Sequence, residues 1–294
     1  MCGGAVSGDA VMNESLSLTH CDAIKLADIP DFEQVEQLHR DTAPSRAAYD
    51  VIHGHCAVIA TISWQIAHHC NMLLSAKSCA NPMGAALRER AQLAQKCMSE
   101  LIGEAYLTLP SVTGGSAPCQ YVDEYAALVG GLIHDIGTYF VLEKDGSNKF
   151  AGELRFDGPH YILHGLRGYN YLVERGFSED IAQFARNHTG VGLTREQVLS
   201  QNLPLPAADY MPRTLEQEIV MVADKYNSKS IPPRFLTVDS YRRKARDLVK
   251  IMHCGGCSWL RSMASLILRR WQSASDYPLT RKLVVLVYCF WFIA

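Results

Sequence analysis

From residue 31 onward, apolar positions recur three and four apart, and no series of alternating apolar and polar residues marks out strands. The spacing predicts a helix over 31–40 and a second that starts near Ala43-Pro44-Ser45 and runs to about Asn71. Between Ala57 and Ala67 this second helix is apolar almost all round, the pattern of a helix buried at the centre of a bundle. A third helix is expected over 82–107, closed by Pro110 and the loop Thr113-Gly114-Gly115-Ser116. Tyr121, Tyr125, Leu128, Val129 and Leu132 then recur at helical spacing up to His134-Asp135, and Gly137 marks a helix end. After a loop-rich stretch at 138–158, Tyr161 to Glu174 reads as helical, with Gly176 as its stop. Ser178 caps the next helix, with Glu179 and Asp180 in its first turn, where the helix dipole favours them. Thr214 and Gln217 make a capping box for a helix reaching about Asn227. The expectation is an all-α domain without internal repeats.

Against this apolar pattern a few polar residues stand out. His188 lies on the inward stripe of Ile181, Phe184 and Ala185. Asp224 ends the run Ile219-Val220-Met221-Val222-Ala223, His134-Asp135 ends another, and His55 leads into the central apolar helix. A lone histidine on an apolar face is ordinarily a hydrogen-bonded core residue. A buried carboxylate, however, costs several kcal/mol unless a partner or a metal compensates it. Several such residues aimed from different helices at one core point to a shared metal centre. Neighbours on a helix point about 100° apart, which suits an Asp that bridges two ions while the adjacent His takes one.

His134-Asp135-Ile136-Gly137 resembles the signature of the HD-domain superfamily of metal-dependent phosphohydrolases, and the other elements follow in the family's order. His55, with Ile59-Ala60 after it, matches the first His, and Asp224, in Val222-Ala223-Asp224-Lys225, matches the late Asp. His164, in His164-Gly165-Leu166-Arg167-Gly168, and His188, in Arg186-Asn187-His188, resemble the extra ligands of two-metal members. Its nearest flavour is the HDIG-type proteins described as predicted hydrolases. The resemblance implies a helical bundle around a mono- or dinuclear site, with an extra C-terminal helical segment beyond it. The ligands would be His55, His134, Asp135, His164, His188 and Asp224. His160 and His164 share a helical face, so either fits the fourth histidine, and the glycines at 165 and 168 favour His164. The nitrogen-and-oxygen donor set suits one or two divalent ions of Fe, Mn, Zn or Co.

The reaction implied is hydrolysis of a small phosphate ester or nucleotide by a metal-activated water, with His134, Asp135 and Lys225 at the reacting centre. Arg167, His160, Asn187 and Lys225 are the expected substrate contacts. Some members with the same six ligands, such as myo-inositol oxygenase, instead use a mixed-valent di-iron centre. A non-catalytic nucleotide-binding module is a third alternative. Three departures from the family matter, the first being that nothing after about residue 247 resembles it. His55 and His134 are 79 residues apart, so a helical insertion at about 75–118 is expected to cover the site, and Thr189-Gly190-Val191-Gly192 stands where the cyclic di-GMP-cleaving subgroup has Gly-Tyr-Pro.

Charge separates the chain into unlike parts. It has 294 residues with 28 basic and 30 acidic side chains, but residues 248–294 hold six Lys and Arg, one acidic residue and three of the four Trp. The division expected is a leader over 1–30, the HD domain over 31–247, and a basic, Trp-rich tail of unassigned role over 248–294. The acidic domain suits a small-molecule substrate better than a nucleic acid. Ten Cys without a secretory leader imply reduced thiols and a cytoplasmic setting. The longest apolar run, Leu283 to Ala294, has 12 residues, short of the roughly 20 that a membrane span needs. Two weaker features, Cys254-Gly255-Gly256-Cys257 and the basic cluster Arg242-Arg243-Lys244 with Arg246, read as a glycine-rich turn and a solvated face.

Overall fold

Helix α1 (Phe32–Thr42) is fixed at its start by a reciprocal cap. The Asp31 carboxylate accepts from the Gln34 backbone N–H at 2.7 Å, and the Gln34 side chain accepts from the Asp31 N–H at 3.0 Å. From there the computed structural model describes residues 28–77, 82–109, 117–147, 153–190, 192–229 and 234–235, with positions 112 and 115. The leader before residue 28, the basic cluster at 242–246, the Cys pair at 254–257 and the tail over 248–294 lie outside the described residues.

The helix expected to be central is α2 (Arg46–Lys77), with Ile52, Cys56, Ile59, Ala60, Ile66, Ala67 and Cys70 all buried. It continues beyond the expected end at Asn71, through Met72-Leu73-Leu74 to Lys77. After α3 (Ala85–Ile102), which a 3-10 turn extends to Thr108, comes α4 (Glu124–Ile133). Every residue of α4 is buried, because it is covered by α2, α3 and α8 and receives Phe184 from α6. Its two glycines explain how close the neighbours come. A Cβ on Gly131 would lie 2.5 Å from the Ala60 Cα, so α2 and α4 touch backbone to backbone there.

Beyond α4, a 3-10 turn (Ile136–Phe140) leads to α5 (His164–Glu174) and α6 (Glu179–Arg186), which pack on each other. A short α7 (Arg195–Ser200) and then α8 (Leu215–Ala223) complete the helices, and α8 packs on both α2 and α4. The protein is mostly helical, as the apolar periodicity requires. Among the described residues, no helix is long and apolar enough to cross a membrane. Cys56, Cys97 and Cys119 are free thiols.

Several local expectations are corrected. Two small antiparallel pairs are present, β1 (Leu142–Lys144) with β2 (Arg155–Phe156), and β3 (Asn227–Ser228) with β4 (Arg234–Phe235). They are too short to show an alternating pattern. Helix α8 stops at Ala223 rather than near Asn227, and the chain turns through Asp224–Tyr226 into β3. Thr214 does cap α8, but Gln217 accepts from the Arg213 N–H, one residue before the cap, so no reciprocal box forms. Ser178 occupies the cap position of α6 with its hydroxyl unbonded. Gly137 does not end a helix: a Cβ there would sit 2.0 Å from the His164 carbonyl oxygen and 2.3 Å from the Gly168 nitrogen. Its role is to let α5 approach the 136–140 turn.

Candidate metal centre

Helix ends build the site. His134 and Asp135 directly follow α4, Asp224 follows α8, His164 opens α5, and His188 stands two residues past α6. His55 alone comes from within a helix, on the face of α2 that meets the end of α8. The six residues form two groups that share one carboxylate. His55, His134, Asp135 and Asp224 make the first, Asp135, His164 and His188 the second, and the donor atoms of each lie within 4.8 Å of one another. Asp135 Oδ2 is 3.2 Å from His55 Nε2 and 3.5 Å from His134 Nε2. Its Oδ1 is 3.4 Å from both His164 Nε2 and His188 Nε2. One oxygen serves each group, the arrangement of a bridging carboxylate.

The protein has already chosen the tautomers. His134 Nδ1 donates to the Gly131 carbonyl at 2.7 Å, His164 Nδ1 to the Tyr161 carbonyl at 2.5 Å, and His188 Nδ1 to the Ala185 carbonyl at 2.7 Å. His55 Nδ1 is 2.9 Å from the Asn227 side-chain oxygen. Carbonyl oxygens only accept, so each Nδ1 carries a proton and each ring turns its Nε2 to the centre. Burial pushes the His134 imidazole down to about 4 and that of His164 to about 3, so both are neutral near pH 7.

Two contacts fit a cation between the donors. The Nε2 atoms of His164 and His188 face each other at 3.0 Å, while each ring's Nδ1 already donates to a backbone carbonyl. His134 Nε2 is fully buried and has no hydrogen-bond partner, with the Asp135 and Asp224 carboxylates each 3.5 Å away. An orphaned buried nitrogen carries a desolvation cost that a metal bond would remove. The residues present therefore fit divalent ions, and the mixed nitrogen-and-oxygen set is of the kind that first-row metals take.

The carboxylates are ionised against their surroundings. Burial alone would raise Asp135, but the Lys229 ammonium and the surrounding imidazoles outweigh it and hold the carboxyl well below its usual range. Burial opposes the ionisation of Asp224 too, and Lys225, His134 and His55 overcome it. Thr138 Oγ1 donates to Asp135 Oδ1 at 2.9 Å and fixes the rotamer.

The expected substrate contacts divide. Lys225 stands at the centre, its ammonium 2.6 Å from Asp224 Oδ2 and 3.2 Å from the His188 carbonyl. Asn187 is buried beside His188, but its amide bonds Gln183 Oε1 at 2.7 Å. Arg167 is exposed and bonds the Phe140 carbonyl, and His160 is exposed and pairs with Asp157 at 2.9 Å, so neither is brought to the cluster. Of His160 and His164, only His164 is in the cluster, and α5 begins at it, so His160 lies outside the helix. The insertion packs on the bundle through Ala94, Cys97 and Met98, and its Arg90 binds Asp123 at the end of α4 opposite His134, about 15 Å away at 1.5 Å per residue. Two residues at the site escaped the sequence reading, Asn227 behind His55 and Lys229 on Asp135. Their only sequence signal is nearness to Asp224. It gains meaning from the turn into β3, which sends the chain back across the site.

Comparison with known proteins bears on the same residues. The HD domain family matches residues 91–228, which include five of the six donors and leave out His55. An uncharacterised protein of Methanocaldococcus jannaschii is 38% identical over 103 residues, 35% of this chain and 49% of that protein. A tRNA (cytidine(56)-2'-O)-methyltransferase of Picrophilus torridus is 31% identical over 117 residues, 40% of this chain and 28% of that enzyme. The chain thus spans about half or less of the length of these curated relatives. No solved structure matches.

Proposed function

The chain carries an HD domain and so belongs to the HD-domain superfamily of metal-dependent phosphohydrolases, and on that premise we propose that it hydrolyses phosphoric esters of a small molecule or nucleotide. The observation that carries the reading is the pair of donor groups joined through Asp135, with the His134 Nε2 orphaned between two carboxylates. His55, His134, Asp135 and Asp224 would hold one divalent ion and Asp135, His164 and His188 a second. Bound there, such ions supply Lewis-acid polarisation of a phosphoryl oxygen and an acidified water near neutral pH.

The chain's own residues do the rest. The backbone carbonyls of Gly131, Tyr161 and Ala185 hold three imidazoles in the liganding tautomer. The Asp135 side chain is fully buried, which keeps bulk water off it. Lys225, fixed between Asp224 and His188, places a positive charge at the junction of the two groups, where it can hold a phosphoryl oxygen.

The test is metal analysis of protein purified with and without oxygen, followed by phosphate release from phosphomonoesters, nucleotides and cyclic nucleotides. Metal-dependent phosphate release is expected. Di-iron content with oxygen uptake and no phosphate release overturns the proposal in favour of an oxygenase. His134→Ala and Asp135→Ala should each lower the bound metal, Asp135→Ala in both groups. Unchanged metal in either variant rules out the ligand assignment.

A further inference from the structure

Lys229 is placed in the middle of the cluster. Its ammonium binds Asp135 Oδ2, the oxygen facing His55 and His134, and lies beside the Tyr161 phenol, 5.7 Å from the ring centroid. With Lys225 it forms a pair of ammonium groups over the two donor groups, their side chains only 13% and 12% exposed. Lysines this buried are held where carboxylates compensate them, and here the compensating carboxylates are the proposed ligands themselves. The two carboxylates, Asp135 and Asp224, are thus matched by the two ammonium groups, Lys229 and Lys225.

A divalent ion upsets that balance. Asp135 Oδ2 holds an ammonium less well once a divalent cation shares it, because the two cations repel. The flexible lysine stem can move its charge off Oδ2 toward Tyr161. With one or two divalent ions the site then carries an excess of two or four positive charges, facing the two ammonium groups. A ligand that restores neutrality brings at least two negative charges. A terminal phosphate does so near neutral pH, its second pKa being about 6. A phosphodiester brings one charge and a neutral polyol none.

We infer that Lys229 and Lys225 form an anion-binding pair that selects a terminal phosphate, and that Lys229 leaves Asp135 to do so when the site is loaded. The inference rests on the hydrolase reading and names its substrate class as phosphomonoesters. Its test uses Lys229→Met and Lys229→Arg in the full chain, with inorganic phosphate as the probe. Calorimetry on the metal-loaded protein should show phosphate bound about tenfold more weakly or worse by Lys229→Met, which is at least about 1.4 kcal/mol, with Lys229→Arg close to wild type. Chelator competition on the metal-free protein should show Mn²⁺ held several-fold more tightly by Lys229→Met, because its competitor for Asp135 is gone. That gain in metal affinity also reports a folded site. Steady-state kinetics should place the Lys229→Met defect in KM for monoesters and leave diesters little changed. Unchanged phosphate and metal affinities in Lys229→Met overturn the inference. Phosphate binding that follows Lys229 in a protein that hydrolyses no ester supports the anion pair and overturns the hydrolase reading. Hydrolysis with Lys229-independent phosphate binding does the reverse.

Discussion

Away from the metal centre, His39 carries a pH dependence of its own. It is fully buried, with Nε2 donating to the Leu132 carbonyl at 2.8 Å and Nδ1 accepting from the Tyr139 hydroxyl at 3.0 Å. Burial, aided by the neighbouring His53, lowers it from 6.5 to about 3. Below pH 6.5 the unfolded chain therefore takes up a proton that the folded one refuses. Stability is complete above 6.5 and falls as the pH drops toward 3, by up to about 1.4 kcal/mol per unit for one such group. His39→Gln, which keeps a donor for Leu132, should be less stable at pH 7 yet lose less between pH 7 and about 5 in urea unfolding of the metal-free protein. His134 and His164 act in the same direction in both proteins, so the difference in slope isolates His39; equal slopes would refute the argument. The same contrast between burial and polarity made the site legible in the sequence. His55, His134, Asp135, His188 and Asp224 stand out because apolar neighbours surround them. His164 needs the family's pattern to be chosen over His160, while Arg167 bonds the Phe140 carbonyl and His160 pairs with Asp157, away from the cluster. Lys229 was illegible because its surroundings are set by a turn that no periodicity encodes.

Between elements, the critical approach is at Gly137, where the turn after α4 meets the first two turns of α5. A methyl group there would overlap the His164 carbonyl oxygen and the Gly168 backbone, and neither is the end of a flexible side chain that could swing away. Gly137→Ala should push α5 outward, at a cost of about 1–3 kcal/mol. It should carry His164 away from Asp135, so that the second donor group weakens before the first. Metal titration should then show one site lost or weakened while the His55 group persists. Gly158→Ala, where a Cβ meets nothing within 4 Å, is the control and should change neither stability nor metal content. Full metal content and wild-type stability in Gly137→Ala would remove the argument. The long helices were legible because burial on one or all faces writes itself into spacing: α2 and α4 follow directly from their apolar runs. Helix α7 and the two small strand pairs were not, since elements of two to six residues offer less than two turns or three alternations to read.

At the scale of the whole molecule, the range that matches the HD domain does not coincide with what the site needs. Residues 91–228 omit α2, and with it His55 and the apolar surface that covers α4. Every residue of α4 is buried, and α2 shields much of it, meeting it backbone to backbone at Gly131 and Ala60. Removing α2 would expose that face to water at about 25 cal/mol per Å² of apolar area. It would also leave Asp224 without the His55 nitrogen, 3.1 Å away. A chain of residues 91–228 should therefore fail to fold cooperatively and hold no stoichiometric metal. A chain of residues 28–250 keeps all six donors, Lys225 and Lys229 while dropping most of the basic, Trp-rich tail, and it should match the full protein in metal content and in the sharpness of its urea transition. Circular dichroism and metal analysis of the two shortened chains separate the cases. Metal binding by residues 91–228 would show that the matched range is a self-sufficient domain. Loss of metal from residues 28–250 would assign the tail a part in the site.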